Sequence, residues 1–359
     1  MSDPVDIKTA KIFQNFDTKP DFANQTFLTF NKDEVYGVLA KNSNATIASW
    51  FKLQQAWCHN AYNTFKDYDT YVILIYLVNK VFKKYSDRLQ YLTIDEFYSN
   101  RDTLQIEKLN LIEISKDLNI PKETIRRKVN FLQKENVIFR KGKSIYFNTS
   151  IAQHQRPGKS KQMMAVYLEK NGHILAKESW FGRAFSREEI EKFIDNHFTI
   201  CWQHWFRLQI PFLTNHRTFF GDLETWNVWG SIGLSQFTSY TEQVKNEVIV
   251  HPKDNQDLYV NLLKHKPKNG INASSISEIS SIPRATVIRK LKHLVKQKLI
   301  TKNNKLEYNL FMSPKNLKSM QINYNVNQKR SAGFITTMFD LMKNSKFKIQ
   351  YTFSKKSWK

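Results

Sequence analysis

The side chains of this sequence with most to offer chemically are cations set at helical spacing. Lys122, Arg126, Arg127 and Asn130 lie in one stretch, and Arg284, Arg289 and Lys292 in another, with Thr124 and Thr286 among them. Guanidinium and ammonium groups hold phosphate through charge-assisted hydrogen bonds, and Arg and Asn can also read base edges. Just downstream, Lys141, Lys143, Lys302 and Lys305 add charge at two polar turns. This is chemistry for gripping a polyanion rather than for making or breaking bonds.

Bond-making constellations fare worse. Gly158-Lys159-Ser160 resembles the end of a phosphate-binding P-loop, but Gln153 stands where that motif needs glycine. His197, Cys201 and His204 follow one helical face, and with nearby Asp195 they could hold zinc. The simpler reading is core, because Phe198, Trp202 and Trp205 crowd the same segment. The aromatic segments Trp50–Trp57 and Trp202–Trp229 also read as core or domain interface, with a small-molecule effector pocket as the second reading. No nucleophile sits beside a base, so the expectation is a protein that is not an enzyme and carries no cofactor or metal.

The elements that must position the cations occur twice. The stretch 114–138, ISKDLNIPKETIRRKVNFLQKENVI, returns at 276–300 as ISEISSIPRATVIRKLKHLVKQKLI. Each predicts a short helix, a tight turn and a longer basic helix. In the first copy Ile125, Val129 and Leu132 share one face; in the second Val287, Leu291, Leu294 and Val295 do so. The cations named above then point away from that face. Pro121 and Pro283 suit the start of the second helix. From 119 to 143 there are eight Lys or Arg against two Glu, and from 283 to 305 eight Lys or Arg and no acid, a one-sided charge that suits phosphate.

Short apolar runs follow each basic helix. Val137-Ile138-Phe139 and Ile145-Tyr146-Phe147 flank Arg140-Lys141-Gly142-Lys143, while Leu299-Ile300-Thr301 and Leu306-Glu307-Tyr308 flank Lys302-Asn303-Asn304-Lys305. Gly142 and the Asn pair suit the positive φ of tight hairpins. The order helix, turn, basic helix, basic hairpin resembles the winged helix-turn-helix of bacterial regulators of the MarR and Crp classes. That resemblance implies a second helix lying in the DNA major groove. It makes Lys122, Thr124, Arg126, Arg127, Asn130, Arg284, Thr286, Arg289 and Lys292 base or phosphate contacts, with Lys141, Lys143, Lys302 and Lys305 on the wings.

The duplication extends upstream. Trp50-Phe51-Lys52-Leu53-Gln54 is echoed by Trp205-Phe206-Arg207-Leu208-Gln209, and Asp67 and Thr70 by Asp222 and Thr225. The expected fold is mainly α, with tandem duplicated winged helix-turn-helix units and short β-hairpin wings. Its parts are an N-terminal arm (1–30), copy one (31–150), a linker with a hairpin around Asn171-Gly172 (151–185), copy two (186–312) and a basic C-terminal tail (313–359) holding a short helix at Phe334–Met342.

Composition agrees with this reading. The formal net charge is +23, from 55 Lys and Arg against 32 Asp and Glu, and only two cysteines occur, which excludes a disulfide framework. The start MSDPVDIK is not a secretory signal, and no apolar run is long enough for a bilayer, so a cytoplasmic protein without a membrane partner is expected. The expected partner is double-stranded DNA, read in sequence-specific fashion by a transcription regulator acting as a single-chain pseudo-dimer or a homodimer. The alternatives are a plasmid-type replication initiator with two winged-helix domains, or a protein-interaction scaffold.

Overall fold

A computed structural model describes residues 30–87, 91–99, 104–106, 109–142, 144–148, 156–178, 182–246, 255–265, 267 and 270–344. The expected N-terminal arm falls outside the described residues but for its last position, as do Lys143 and everything beyond Asn344.

The chain is mainly helical, and its elements run through the same order twice. The first run is α1 (Lys32–Lys41), α2 (Ser43–Phe65), α3 (Tyr68–Asp87), α4 (Ile94–Ser99), β1 (Gln105–Ile106), α5 (Leu111–Leu118), α6 (Lys122–Lys134), β2 (Ile138–Lys141), β3 (Ser144–Phe147) and α7 (Gly158–Lys177). The second is α8 (Arg187–Asn196), α9 (Phe198–Phe220), α10 (Leu223–Lys245), α11 (Asn255–Lys264), β4 (Ile271–Asn272), α12 (Ala273–Ser280), α13 (Arg284–Lys296), β5 (Ile300–Lys302), β6 (Glu307–Leu310) and α14 (Pro314–Asn344). The small sheets are antiparallel, ordered β1-β3-β2 and β4-β6-β5. Their edge strands β1 and β4 were not anticipated from sequence; at two residues each they are too short to leave an alternating pattern.

The two halves pack into each other. Helix α3 lies on α9, α2 on α10, α1 on α14 and α8 on α7, so each half covers apolar faces of the other. At the centre the Trp50 and Trp205 rings meet, with centroids 6.5 Å apart. Trp50 also meets Phe212 at 5.3 Å, and the matching contact runs from Trp205 to Trp57 at 4.8 Å. These are offset or edge contacts of the kind the aromatic quadrupole favours. The aromatic segments are thus the joint between halves, and one core cluster runs through both.

Position 171–172 is not a turn. Asn171 and Gly172 sit inside α7, where the Asn171 amide donates to the Tyr167 carbonyl at 2.7 Å. A Cβ on Gly172 would lie 3.0 Å from the Phe339 ring, so the glycine lets α14 approach closely. Tertiary packing overrides the local hairpin signal. The C-terminal region differs in the same way: residues 314–344 form one helix, whose end buries Phe334, Ile335, Met338, Phe339 and Met342. Asp340 ties it to the chain entering α1 by accepting a bond from the Phe30 amide at 3.0 Å.

One paired feature sets how α6 and α13 sit on this body. Asp67, just before α3, accepts from the Thr70 amide at 2.7 Å, and Asp222 caps α10 through the Thr225 amide at 2.7 Å. Each carboxylate also takes a lysine: Lys128 of α6 shares the capping oxygen of Asp67 at 2.9 Å, and Lys290 of α13 meets the other oxygen of Asp222 at 2.5 Å. Burial pushes both carboxyls up, but the Thr and Lys bonds outweigh it and hold them below the usual carboxylate range. Replacing Asp67 or Asp222 with Ala should cost about 1–2 kcal/mol of unfolding free energy in urea from the lost cap. Adding Lys128→Met to Asp67→Ala should restore part of that loss, because the stranded half-buried ammonium goes with it.

Candidate nucleic-acid interface

Each basic helix is entered and left by matching devices. Before α5, the Asn110 side chain accepts from the Ile112 and Glu113 amides; before α12, Asn272 does so from Ser274 and Ser275. The turns place Asn119 and Ser281 in the left-handed region, at φ 51 and 60, and Ser115 and Ser277 each donate to the carbonyl closing the turn, at 2.6 and 2.7 Å. The chain then enters α6 and α13 from extended Pro121 and Pro283, which stand at the cap rather than the first helical position. Both helices end alike. Val137 and Leu299 donate back to the Leu132 and Leu294 carbonyls, with Asn136 and Lys298 at φ 54 and 56.

The turns dock on the opposite half. Arg217 of α9 pairs with Asp69 at 2.9 Å and donates to the Asn119 carbonyl at 2.9 Å. In the other direction, the Ser281 hydroxyl hydrogen-bonds the His59 ring of α2 at 2.9 Å. Both halves therefore orient each basic helix.

What faces outward follows from what is buried. Ile125, Val129 and Leu132 are buried in α6, as are Val287, Leu291 and Leu294 in α13. Val295 is not part of that face: it is 38% exposed, because α13 rotates it off the body in its last turn. Lys122, Arg126, Arg127 and Asn130 are exposed on α6, and Arg284, Arg289 and Lys292 on α13, with Thr124 and Thr286 half-buried beside them. Arg127 and Arg289 form no side-chain hydrogen bond or salt bridge among the described residues. Lys128 and Lys290 point the other way, into the Asp67 and Asp222 pairs.

The two outward faces are not equivalent. Arg126 is forked onto Glu123, with Nε to Oε2 at 2.9 Å and Nη2 to Oε1 at 2.6 Å. The matching positions on α13 are Ile288 and Ala285, which carry no charge. Arg284 leans instead on the Ser274 hydroxyl, at 3.1 Å.

The hairpins project beside these helices. On the first, Phe139 and Tyr146 stack at 5.6 Å, and the Lys141 ammonium lies 5.7 Å from each ring centre. Gly142 has φ 60, as the tight turn requires. Lys143 lies outside the described residues. Arg140 belongs with these cations, and the register places it on β2 opposite Ile145 rather than in the turn, with its side chain exposed. On the second hairpin Lys302 and Lys305 are exposed, but the positive φ falls on Leu306 rather than on an asparagine. Asn303 instead accepts from the Lys305 and Glu307 amides and shapes the turn through its side chain.

The other candidates resolve differently. His197, Cys201 and His204 do not assemble a metal-binding group, and none of three or more such ligands occurs among the described residues. His197 stacks on Phe193 and bonds the Phe193 carbonyl, and Cys201 is fully buried, its thiol pushed up by burial. An opening of about 350 Å³ lies beside α2, between Lys52, Leu53, Met163, Tyr167, Lys170 and Arg187, with no tryptophan in its lining. No helix among the described residues is long and apolar enough to cross a membrane.

Burial holds two histidines neutral: His204, also facing Arg207 and Lys32, and His216 are both pulled down to about 4. In the unfolded chain they titrate near about 6.5. Between those values the unfolded state binds more protons, so stability falls as pH is lowered. Wild type should therefore lose stability relative to His216→Gln as pH drops from about 6.5 to about 4, read from urea midpoints at each pH.

No protein-family model, no curated protein and no solved structure matches the chain, so the interface rests on its own residues.

Proposed function

We propose that the chain is a sequence-specific double-stranded DNA-binding protein, acting as a transcription regulator, with two winged helix-turn-helix units in one polypeptide. The observation that carries this reading is the division of charge on α6 and α13. On each helix one lysine is spent on the body, while the arginine beside it, Arg127 or Arg289, is exposed and unpaired among the described residues. A helix that needed charge only for solubility would have no reason to sort it so. The basic hairpins beside both helices and the net charge of +23 support the same partner.

In this reading Lys and Arg contacts to phosphate supply most of the affinity and fix register, and a few side chains on each outward face supply specificity. Two units in one chain span two half-sites about 34 Å apart on one side of the duplex. A replication initiator would use the same two-unit layout, and the genomic position of the selected sites separates the two roles: single sites at promoters for a regulator, iterated sites beside an AT-rich region for an initiator.

Arg127→Ala and Arg289→Ala should each weaken binding to a selected duplex by about tenfold and lower the slope of log K against log salt by roughly one. Arg183→Ala should leave both unchanged, since Arg183 is engaged with Glu189 at 2.5 Å. Equal losses for all three variants in a salt-series footprint would mean diffuse charge rather than a reading helix.

A further inference from the structure

The two outward faces differ most at one pair of positions, where α6 carries a forked Glu–Arg pair and α13 carries two apolar residues; Lys122 and Arg284 keep a cation, and Asn130 stands opposite Lys292. From this we infer that the units read opposite base-pair types at matching positions, G·C through Glu123 and Arg126 and A·T through Ala285 and Ile288. The inference rests on the DNA-binding reading above and adds the identity of the bases.

Glu123 is the informative residue. A carboxylate turned toward DNA is repelled by phosphate, so it is tolerated only where N–H donors meet it. Arg126 supplies two such donors; of the two base-edge amines in the major groove, on cytosine and adenine, cytosine is the usual partner of a carboxylate, and the guanine paired with it suits the arginine. The fork occupies Nε and one N–H of Nη2, leaving the Nη1 end of the guanidinium free to meet guanine O6 and N7. The pair is thereby a preset reader of one G·C step, with its arginine already held in place in the free protein. Both side chains are largely exposed, at 57% for Arg126 and 73% for Glu123, so nothing in the body covers them.

On α13 the equivalent surface offers no donor or acceptor. Ala285 is exposed and Ile288 half-buried, on the same outward side as Arg289. An apolar side chain in the major groove gains by covering the thymine 5-methyl group, and it leaves the donors and acceptors of a G·C pair unmet. The neighbouring Arg284 is drawn aside by Ser274, which keeps its charge from replacing the missing polar contact.

The test is selection from randomised duplexes with the full chain, followed by an exchange of the two faces. Wild type should select a bipartite site with G·C at one position and A·T at its counterpart in the other half. Glu123→Ala with Arg126→Ile should turn the G·C position to A·T without altering the other half, and Ala285→Glu with Ile288→Arg should do the reverse. Exchanging the critical thymine for uracil should weaken wild-type binding by about fourfold, the worth of one buried methyl, in that half only. Selected sites with the same bases in both halves, or a preference that survives the exchange, would overturn the inference while leaving DNA binding intact. Failure to select any sequence would overturn the DNA-binding reading itself, and this inference with it. Glu123, Arg126 and Ala285 are exposed and Ile288 is half-buried, and matching urea midpoints confirm that the variants fold.

Discussion

The double use of one carboxylate in each half governs the arrangement of everything around it. Asp67 and Asp222 satisfy the first amides of α3 and α10, and in the same geometry each holds a lysine from the basic helix packed alongside. A capping carboxylate has a fixed direction, because it must face the helix end. The lysine reaching it therefore fixes the rotation of α6 or α13 about its own axis. With Lys128 turned inward, Ile125, Val129 and Leu132 fall on the body and Arg127 falls away from it. Partial burial raises the value of each pair, since a charge left without its partner there would be costly.

The ends of the long helices α3 and α10 also lie close enough to influence one another. Glu224, the second residue of α10, is held up to about 7 by burial and by the neighbouring Asp222 and Asp67 carboxylates, which outweigh Lys290. Its counterpart in the first half is Asp69, and that carboxylate has instead found Arg217. The halves share a plan but differ in how charge is settled where they meet. Unit one is fastened to the body by an arginine making two kinds of bond, and unit two by a serine hydroxyl on a histidine ring.

Much of this was legible in the residues. The repeat at 114–138 and 276–300 located α5, α6, α12 and α13, because helical periodicity and a proline at each entry are strong local signals. The Trp50 and Trp205 echoes pointed to the joint between halves, though not to how the helices would cross. What escaped was decided by contacts distant in sequence. Asn171-Gly172 carries a turn signature, but Phe339 requires a small residue there and α7 runs through it. The lysine-rich tail resembles a free segment, yet its apolar residues sit at helical spacing against α1 and α9. Val295 has the right residue type for the core and the wrong angle. Among the candidate contacts, the outward positions on both helices were readable from the buried face. The Glu123–Arg126 fork and the Arg284–Ser274 bond were not, since side-chain pairing depends on rotamers that spacing alone does not determine.

The crossing of the halves, α1 onto α14 and α8 onto α7, has a consequence for dilution and for inheritance. Two separate subunits joined by such a surface would part at low concentration, because their association is second order. Joined by a covalent chain, the same surface is closed at an effective concentration that does not change however scarce the molecule becomes. A subunit repeated by symmetry must also accept every substitution twice. Here a change in α6 leaves α13 untouched, so each half can change by itself while the shared core keeps both in place.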